Sequence, residues 1–234
     1  MTLDLTPEET TAIWLTLRVA LVAVAASLPV AILVAWVLAR CRFPGIVLFD
    51  AIVHLPLTLP PVVTGFLLLL VFGRRAPVGA FLAEHFGLVF SFRWTGAALA
   101  AAVMGFPLFV RAIRLSIEAV DRRLEDAAST LGAPRALVAL TVTLPLILPG
   151  ILAGGVLAFA RAMGEFGATV TFVSNIPGET QTIASAIYTY TQVPGGDGPA
   201  LRLTLISVVL SLGALVLSEL LARRTRRAIG QTRP

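Results

Sequence analysis

Arg161 and Glu165 stand four residues apart in FARAMGEFGATVTF, within a long apolar stretch. At that spacing they share one helical face and can pair. Either charge alone against lipid would be costly, so both must face protein, water or each other. Two roles follow. The face lines an anion pathway or its gate, with Arg161 attractive to the anion, or the pair locks helices together. A free carboxylate repels an anion, so locking suits Glu165 better than Arg161. Gly164 and Gly167 flank Glu165 and allow a kink or close helix approach. A second candidate is LPLTLPPVVTG, from Leu55 to Gly65, where Pro56, Pro60 and Pro61 interrupt helical hydrogen bonding. Such a break needs protein or water to satisfy the freed carbonyls, and broken helices often mark transport sites. Thr58 and Thr64 could offer hydroxyls to an oxyanion. The alternative is a Pro-kinked packing helix whose threonines bond their own backbone.

The third candidate is polar and lies between two apolar stretches: EDAASTLGAPRALVALTVTLP, from Glu125 to Pro145. Asp121 suits an N-cap, and Glu125 and Asp126 fall in the first turns, where the helix dipole favours negative charge. Ala127 and Ala128 are small helix formers that admit a close partner surface. Gly132 and Pro134 end the helix. No Ser-His-Asp or paired-carboxylate constellation stands out, so no catalytic residue is assigned. His54 and His85 fall in different segments, and the single Cys41 cannot build a thiolate metal site, so no metal is assigned. All 18 basic residues are arginine. A phosphate-binding GxxxxGK[ST] loop requires lysine, so any ATP hydrolysis must occur on another chain.

These residues need apolar elements to position them. Of 234 residues, 57% are hydrophobic and 13% charged, with a mean hydropathy of +0.92. A soluble domain of this size has too little polar exterior for that composition, which points to an integral membrane protein. Five spans are expected at about 13–39, 51–73, 94–114, 149–174 and 203–222, with a polar loop at about 118–145. The first is too long for a signal peptide, follows Asp4, Glu8 and Glu9, and precedes Arg40 and Arg42. With the N-terminus outside, the cytoplasmic side receives Arg40, Arg42, Arg111, Arg114, Arg122, Arg123, Arg135, Arg223, Arg224, Arg226, Arg227 and Arg233, 12 of the 18. The positive-inside rule favours that orientation, with the polar loop and C-terminus cytoplasmic. The basic tail reads as an anchor to anionic lipid rather than a nucleic-acid patch. No internal repeat or separate soluble domain is seen.

The polar loop also resembles the signature of bacterial ABC-importer permeases. Its Glu-Ala-Ala, Gly, Ile and Leu-Pro positions fall on Asp126-Ala127-Ala128, Gly132, Val142 and Leu144-Pro145. Asp126 for Glu and Val142 for Ile are conservative departures. FPG at Phe43, HLPLTLPPVV at His54, AAAVMGFPLFVRAIRLSIE at Ala100 and LAFARAMGEFGATVTFVSNIPGET at Leu157 resemble the molybdate permeases of that group. The GEFGA segment is shared with sulfate-type permeases. The resemblance implies an all-α type I importer fold and a cytoplasmic coupling helix that docks in an ATPase cleft, with Glu125 and Asp126 facing basic or polar groups on the ATPase. It also implies a homodimer, a cytoplasmic ABC ATPase dimer holding ATP-Mg, an extracytoplasmic molybdate-binding protein and a bacterial inner-membrane location. Molybdate or tungstate is the expected cargo, with sulfate or thiosulfate as the alternative. A secondary transporter is disfavoured by the single central acid and the lack of repeated halves.

Overall fold

The computed structural model describes residues 5–228. Asp4 and Arg233 lie outside the described residues, as do the side chains of Arg223, Arg224, Arg226 and Arg227. The helices are α1 (Pro7–Arg40), α2 (Ile46–Thr58), α3 (Pro61–Phe72), α4 (Pro77–Phe86), α5 (Trp94–Glu118) and α6 (Arg122–Thr130). They continue as α7 (Arg135–Val138), a π turn (Ala139–Thr143), α8 (Leu144–Met163), α9 (Gly167–Val173), α10 (Ile183–Thr191) and α11 (Asp197–Ala228).

α1 starts at a capping box. The Thr6 hydroxyl accepts from the Glu9 amide at 3.2 Å, and the Glu9 carboxylate accepts from the Thr6 amide at 2.7 Å. Its 34 residues extend about 51 Å, more than a bilayer core needs. α5 is the central helix, packed against α1 on one side and α8 on another. Small residues line it (Gly96, Ala97, Ala98, Ala100, Ala101, Gly105), and neighbouring backbones approach closely there. In its most apolar window 61% of the residues are buried, against 11% in α11. The outer helices therefore keep apolar faces for lipid or a further chain.

The helices depart from the expected spans in outline, α1 and α11 each beginning six residues before the expected 13 and 203. The stretch 51–73 is not one kinked helix: α2 and α3 meet at 114° around Leu59 and Pro60. Pro61 is the first residue of α3 and Thr58 the last of α2, so the Pro60-Pro61 step is a true break. Among the described residues four helical runs are long and apolar enough to cross a membrane, with α7, the π turn and α8 counted as one, or five spans if the bent pair counts as one. The stretch 149–174 is also divided. α8 begins earlier, at Leu144, runs through Pro149 and ends at Met163, and α9 follows a three-residue turn. Its early start is possible because Pro145 occupies the first turn, where no intrahelical donor is needed. α5 continues four residues past the expected 114, through Pro107 to Glu118.

Long-range contacts within the chain sort the helix ends into two groups. At one end, Arg40 of α1 meets Glu125 of α6, and Arg114 of α5 meets Asp50 of α2. At the other, Glu9 of α1 meets Arg202 of α11, and Arg18 of α1 lies 3.7 Å above the Trp94 ring of α5. Burial, with the Glu9 charge next, raises the Tyr190 hydroxyl above its ordinary pKa at this second end.

Candidate functional site

The α6 helix forms as its residues dictate. Asp121 caps it by accepting from the Arg123 amide at 3.0 Å. Gly132 sits just past the end at φ +86°, a left-handed conformation that glycine adopts without cost. The Ala133 amide donates back to the Ala128 carbonyl at 3.3 Å. Pro134 then starts α7.

The two acids of α6 point different ways. Asp126 is exposed, as expected of a partner-facing group. Glu125 turns inward. One of its carboxylate oxygens accepts from Arg40 at 2.8 Å and from the Thr143 hydroxyl at 2.7 Å. The Arg40 and Glu125 side chains are only 14% and 19% exposed. Glu125 therefore anchors the loop to α1 and to the π turn, a correction to its expected partner-facing role. A π turn inserts one residue per turn and reorients the side chains after it. Here it places Thr143, fully buried, on the Glu125 carboxylate. Leu144 and Pro145 open α8 directly afterwards.

The outer surface of this unit is apolar at its tip. Leu131 is 89% exposed and Leu124 is 49% exposed, with Ala127 exposed and Ala128 half-buried nearby. Leu131 and Leu124 are thus apolar side chains left uncovered beside and within a polar helix. Sequence reasoning missed Arg40, Thr143 and Leu131. The Arg40–Glu125 pair spans 85 positions, and no local pattern announces it.

A brace lies close to α6. Arg114 donates to Glu118 at 2.8 Å and to Asp50 at 3.1 Å, and His54 Nδ1 lies 2.9 Å from the Asp50 carbonyl. The start of the broken span is thereby tied to the end of α5, three residues before α6. His54 thus has a structural partner.

The pathway candidates come together at the second break. Arg161 and Glu165 pair at 2.6 Å, with side-chain exposures of 28% and 2%. They sit where α8 stops, not in mid-helix as expected. The other Glu165 oxygen accepts from the Ala168 amide at 2.8 Å, in the first turn of α9. Glu165 therefore joins α8 to α9 and has both oxygens occupied. Gly164 ends α8 and is exposed. Across the break α3 packs on α9. A Cβ on Gly65 would sit 2.5 Å from the Ala168 carbonyl, and one on Gly167 would sit 2.8 Å from Pro61 Cβ. Pro60 and Pro61 are exposed beside this contact. The two threonines separate: Thr58 bonds the Leu55 carbonyl at 2.9 Å, as in the packing alternative, whereas Thr64 is buried with no partner for its hydroxyl.

The candidate site is thus a polar loop anchored to α1 and to the start of α8, with two broken spans meeting at an ion pair. Residues 27–227 match the family described as binding-protein-dependent transport system inner membrane component. The molybdenum transport system permease protein ModB of Escherichia coli (strain K12) is 58% identical over 227 residues, 97% of this chain and 99% of that protein. The sulfate transport system permease protein CysT of Salmonella typhimurium stands further off, at 37% over 85% of this chain and 72% of that protein. The fold matches a bacterial ABC transporter involved in alginate import, with a TM-score of 0.74 at 19% identity, over 95% of this chain and 82% of that one. The chain therefore belongs to the binding-protein-dependent transport system inner membrane component family, the permeases of ABC importers.

Proposed function

We propose that this chain is the membrane subunit of an ATP-driven molybdate importer. It provides the translocation pathway and leaves ATP hydrolysis to a separate cytoplasmic ATPase pair. The observation that carries the cargo is the 58% identity to a molybdenum permease over nearly the full length of both chains, against 37% to a sulfate permease. The mechanical reading rests on α6. Closure of the ATPase pair pushes on Leu131, Leu124 and the Asp126-Ala127-Ala128 face. Glu125 passes the push to α1 through Arg40 and to α8 through Thr143, and the Asp50–Arg114–Glu118 brace passes it to α2 and α5.

In this reading two copies of the chain face each other across the pathway, and an extracytoplasmic binding protein delivers the anion. The half-exposed flank of α8 at Leu157 and Arg161, beside Pro60 and Pro61, lines the passage. Glu165 neutralises Arg161 and holds the α8–α9 break, so the guanidinium guides the anion without trapping it. No cofactor is bound by this chain, and ATP-Mg sits on the partner. The arginine distribution supports an extracytoplasmic N-terminus and a cytoplasmic α6. Reconstitution with the candidate ATPase and binding protein, comparing uptake of molybdate, tungstate and sulfate, tests the reading. Molybdate uptake that sulfate does not match supports it; sulfate uptake with no response to molybdate overturns it.

A further inference from the structure

At the end of the bundle opposite α6, three arginines surround a single depression. Arg74 and Arg75 lie between α3 and α4, and Arg93 precedes α5. All three are exposed and line the same cavity of about 550 Å³, together with Leu69, Val89 and Phe92. Among the described residues none of the three reaches a carboxylate within ion-pair distance, whereas Arg40, Arg114, Arg161 and Arg202 each do. No acidic side chain lines the cavity. Two helices also begin there. The N-cap positions of α4 and α5 are Ala76 and Arg93, and neither provides a side-chain cap. Uncapped amides and the positive ends of both helix dipoles thus add to the guanidinium charge.

The apolar surroundings select the form of the anion. α4 is a ten-residue helix that exposes Val78, Phe81 and Phe86, and Leu88 and Phe92 continue the patch, with Phe92 53% exposed. Phenylalanines beside arginines, at the mouth of a membrane bundle, are the composition of a segment lying in the lipid interface. A soluble oxyanion has no use for those rings, whereas a phospholipid places its phosphate among the arginines and its chains against the rings.

We propose that Arg74, Arg75 and Arg93 hold the phosphate of an anionic phospholipid, with the rings of α4 and Phe92 seated among its acyl chains. The site is independent of the cargo and of the coupling helix. It anchors the joint between the broken span and α5 to the membrane surface opposite α6.

The test uses the full-length chain in mild detergent, titrated with phosphatidylglycerol or phosphatidylcholine and followed by native mass spectrometry and thermal unfolding. Phosphatidylglycerol should be retained and should raise the unfolding midpoint, and phosphatidylcholine should not. Each Arg→Gln change should weaken retention about fivefold, since each arginine near an anionic surface contributes on the order of one such factor. The control Arg111→Gln, an exposed arginine at the α6 end, should leave it unchanged. Equal retention by wild type and the Arg74→Gln/Arg75→Gln/Arg93→Gln variant overturns the proposal. So does displacement of the lipid by millimolar inorganic phosphate or molybdate, which would make this a soluble-anion site. Protection of the arginines only when the extracytoplasmic binding protein is added would instead mark a protein-docking surface, and also overturns it.

Discussion

Replacing Glu125 separates an anchoring acid from a docking acid. The carboxylate oxygen accepts from both Arg40 and Thr143, at 2.8 and 2.7 Å, in a pair less than one-fifth exposed. A hydrogen bond to a charged group contributes about 1.5–3 kcal/mol. Residual water access reduces that, and loss of the partner leaves Arg40, whose Nε is already buried without a partner, facing an uncompensated site. Glu125→Ala should therefore cost about 2 kcal/mol, and Glu125→Gln, which keeps an acceptor, about 1 kcal/mol. For a chain of this size that is a fall of roughly 4–8 °C in the unfolding midpoint for the alanine variant. The assay is thermal unfolding of the detergent-solubilised chain without its ATPase. A double-mutant cycle with Arg40→Met should return a coupling of about 1–2 kcal/mol. An unchanged midpoint, with affinity for the ATPase lowered instead, would refute the anchor and restore the outward-facing assignment.

Asp126→Asn and Leu131→Asp should shift the midpoint by less than about 0.5 kcal/mol. Each should still weaken retention of the ATPase in pull-down about tenfold, because these side chains face outward. Gly65→Val should cost about 3 kcal/mol or prevent assembly, since its Cβ meets the Ala168 carbonyl; midpoint and folded yield report this. Glu165→Gln keeps an acceptor for the Ala168 amide but loses the Arg161 charge, and should cost about 1–2 kcal/mol in the same assay. At matched folded yield, Arg161→Gln should lower molybdate uptake more than Glu165→Gln, and equal losses would assign both residues to the lock alone.

What the sequence revealed is what depends on local pattern. The α6 helix, its Asp121 cap and its Gly132 stop follow from propensity and backbone chemistry, and they stand where expected. The Arg161–Glu165 pair followed from four-residue spacing. The ends of the spans were less legible, because hydropathy does not register a change of backbone direction within an apolar stretch. The α2–α3 bend at Leu59 and Pro60 and the α8–α9 break at Gly164 to Phe166 both fall inside stretches whose mean hydropathy stays high. The inward turn of Glu125 depends on Arg40 and on a π turn at Ala139–Thr143, neither of which has a short-range signature. Thr58 and Thr64 looked equivalent on paper. Only the packing of α3 on α9 separates a self-bonded hydroxyl from a buried unpartnered one.

The most direct measurement is the molybdate accumulated per ATP hydrolysed in proteoliposomes, for the wild type and for Gly132→Pro. At φ +86° Gly132 cannot be replaced by proline, whose φ is fixed near −65°, without rebuilding the end of α6. A steady ratio in the wild type is predicted, with no hydrolysis by this chain alone and ATP turnover without accumulation in the variant. Accumulation driven by an ion gradient in the absence of ATP, or an unchanged ratio in Gly132→Pro, would contradict it.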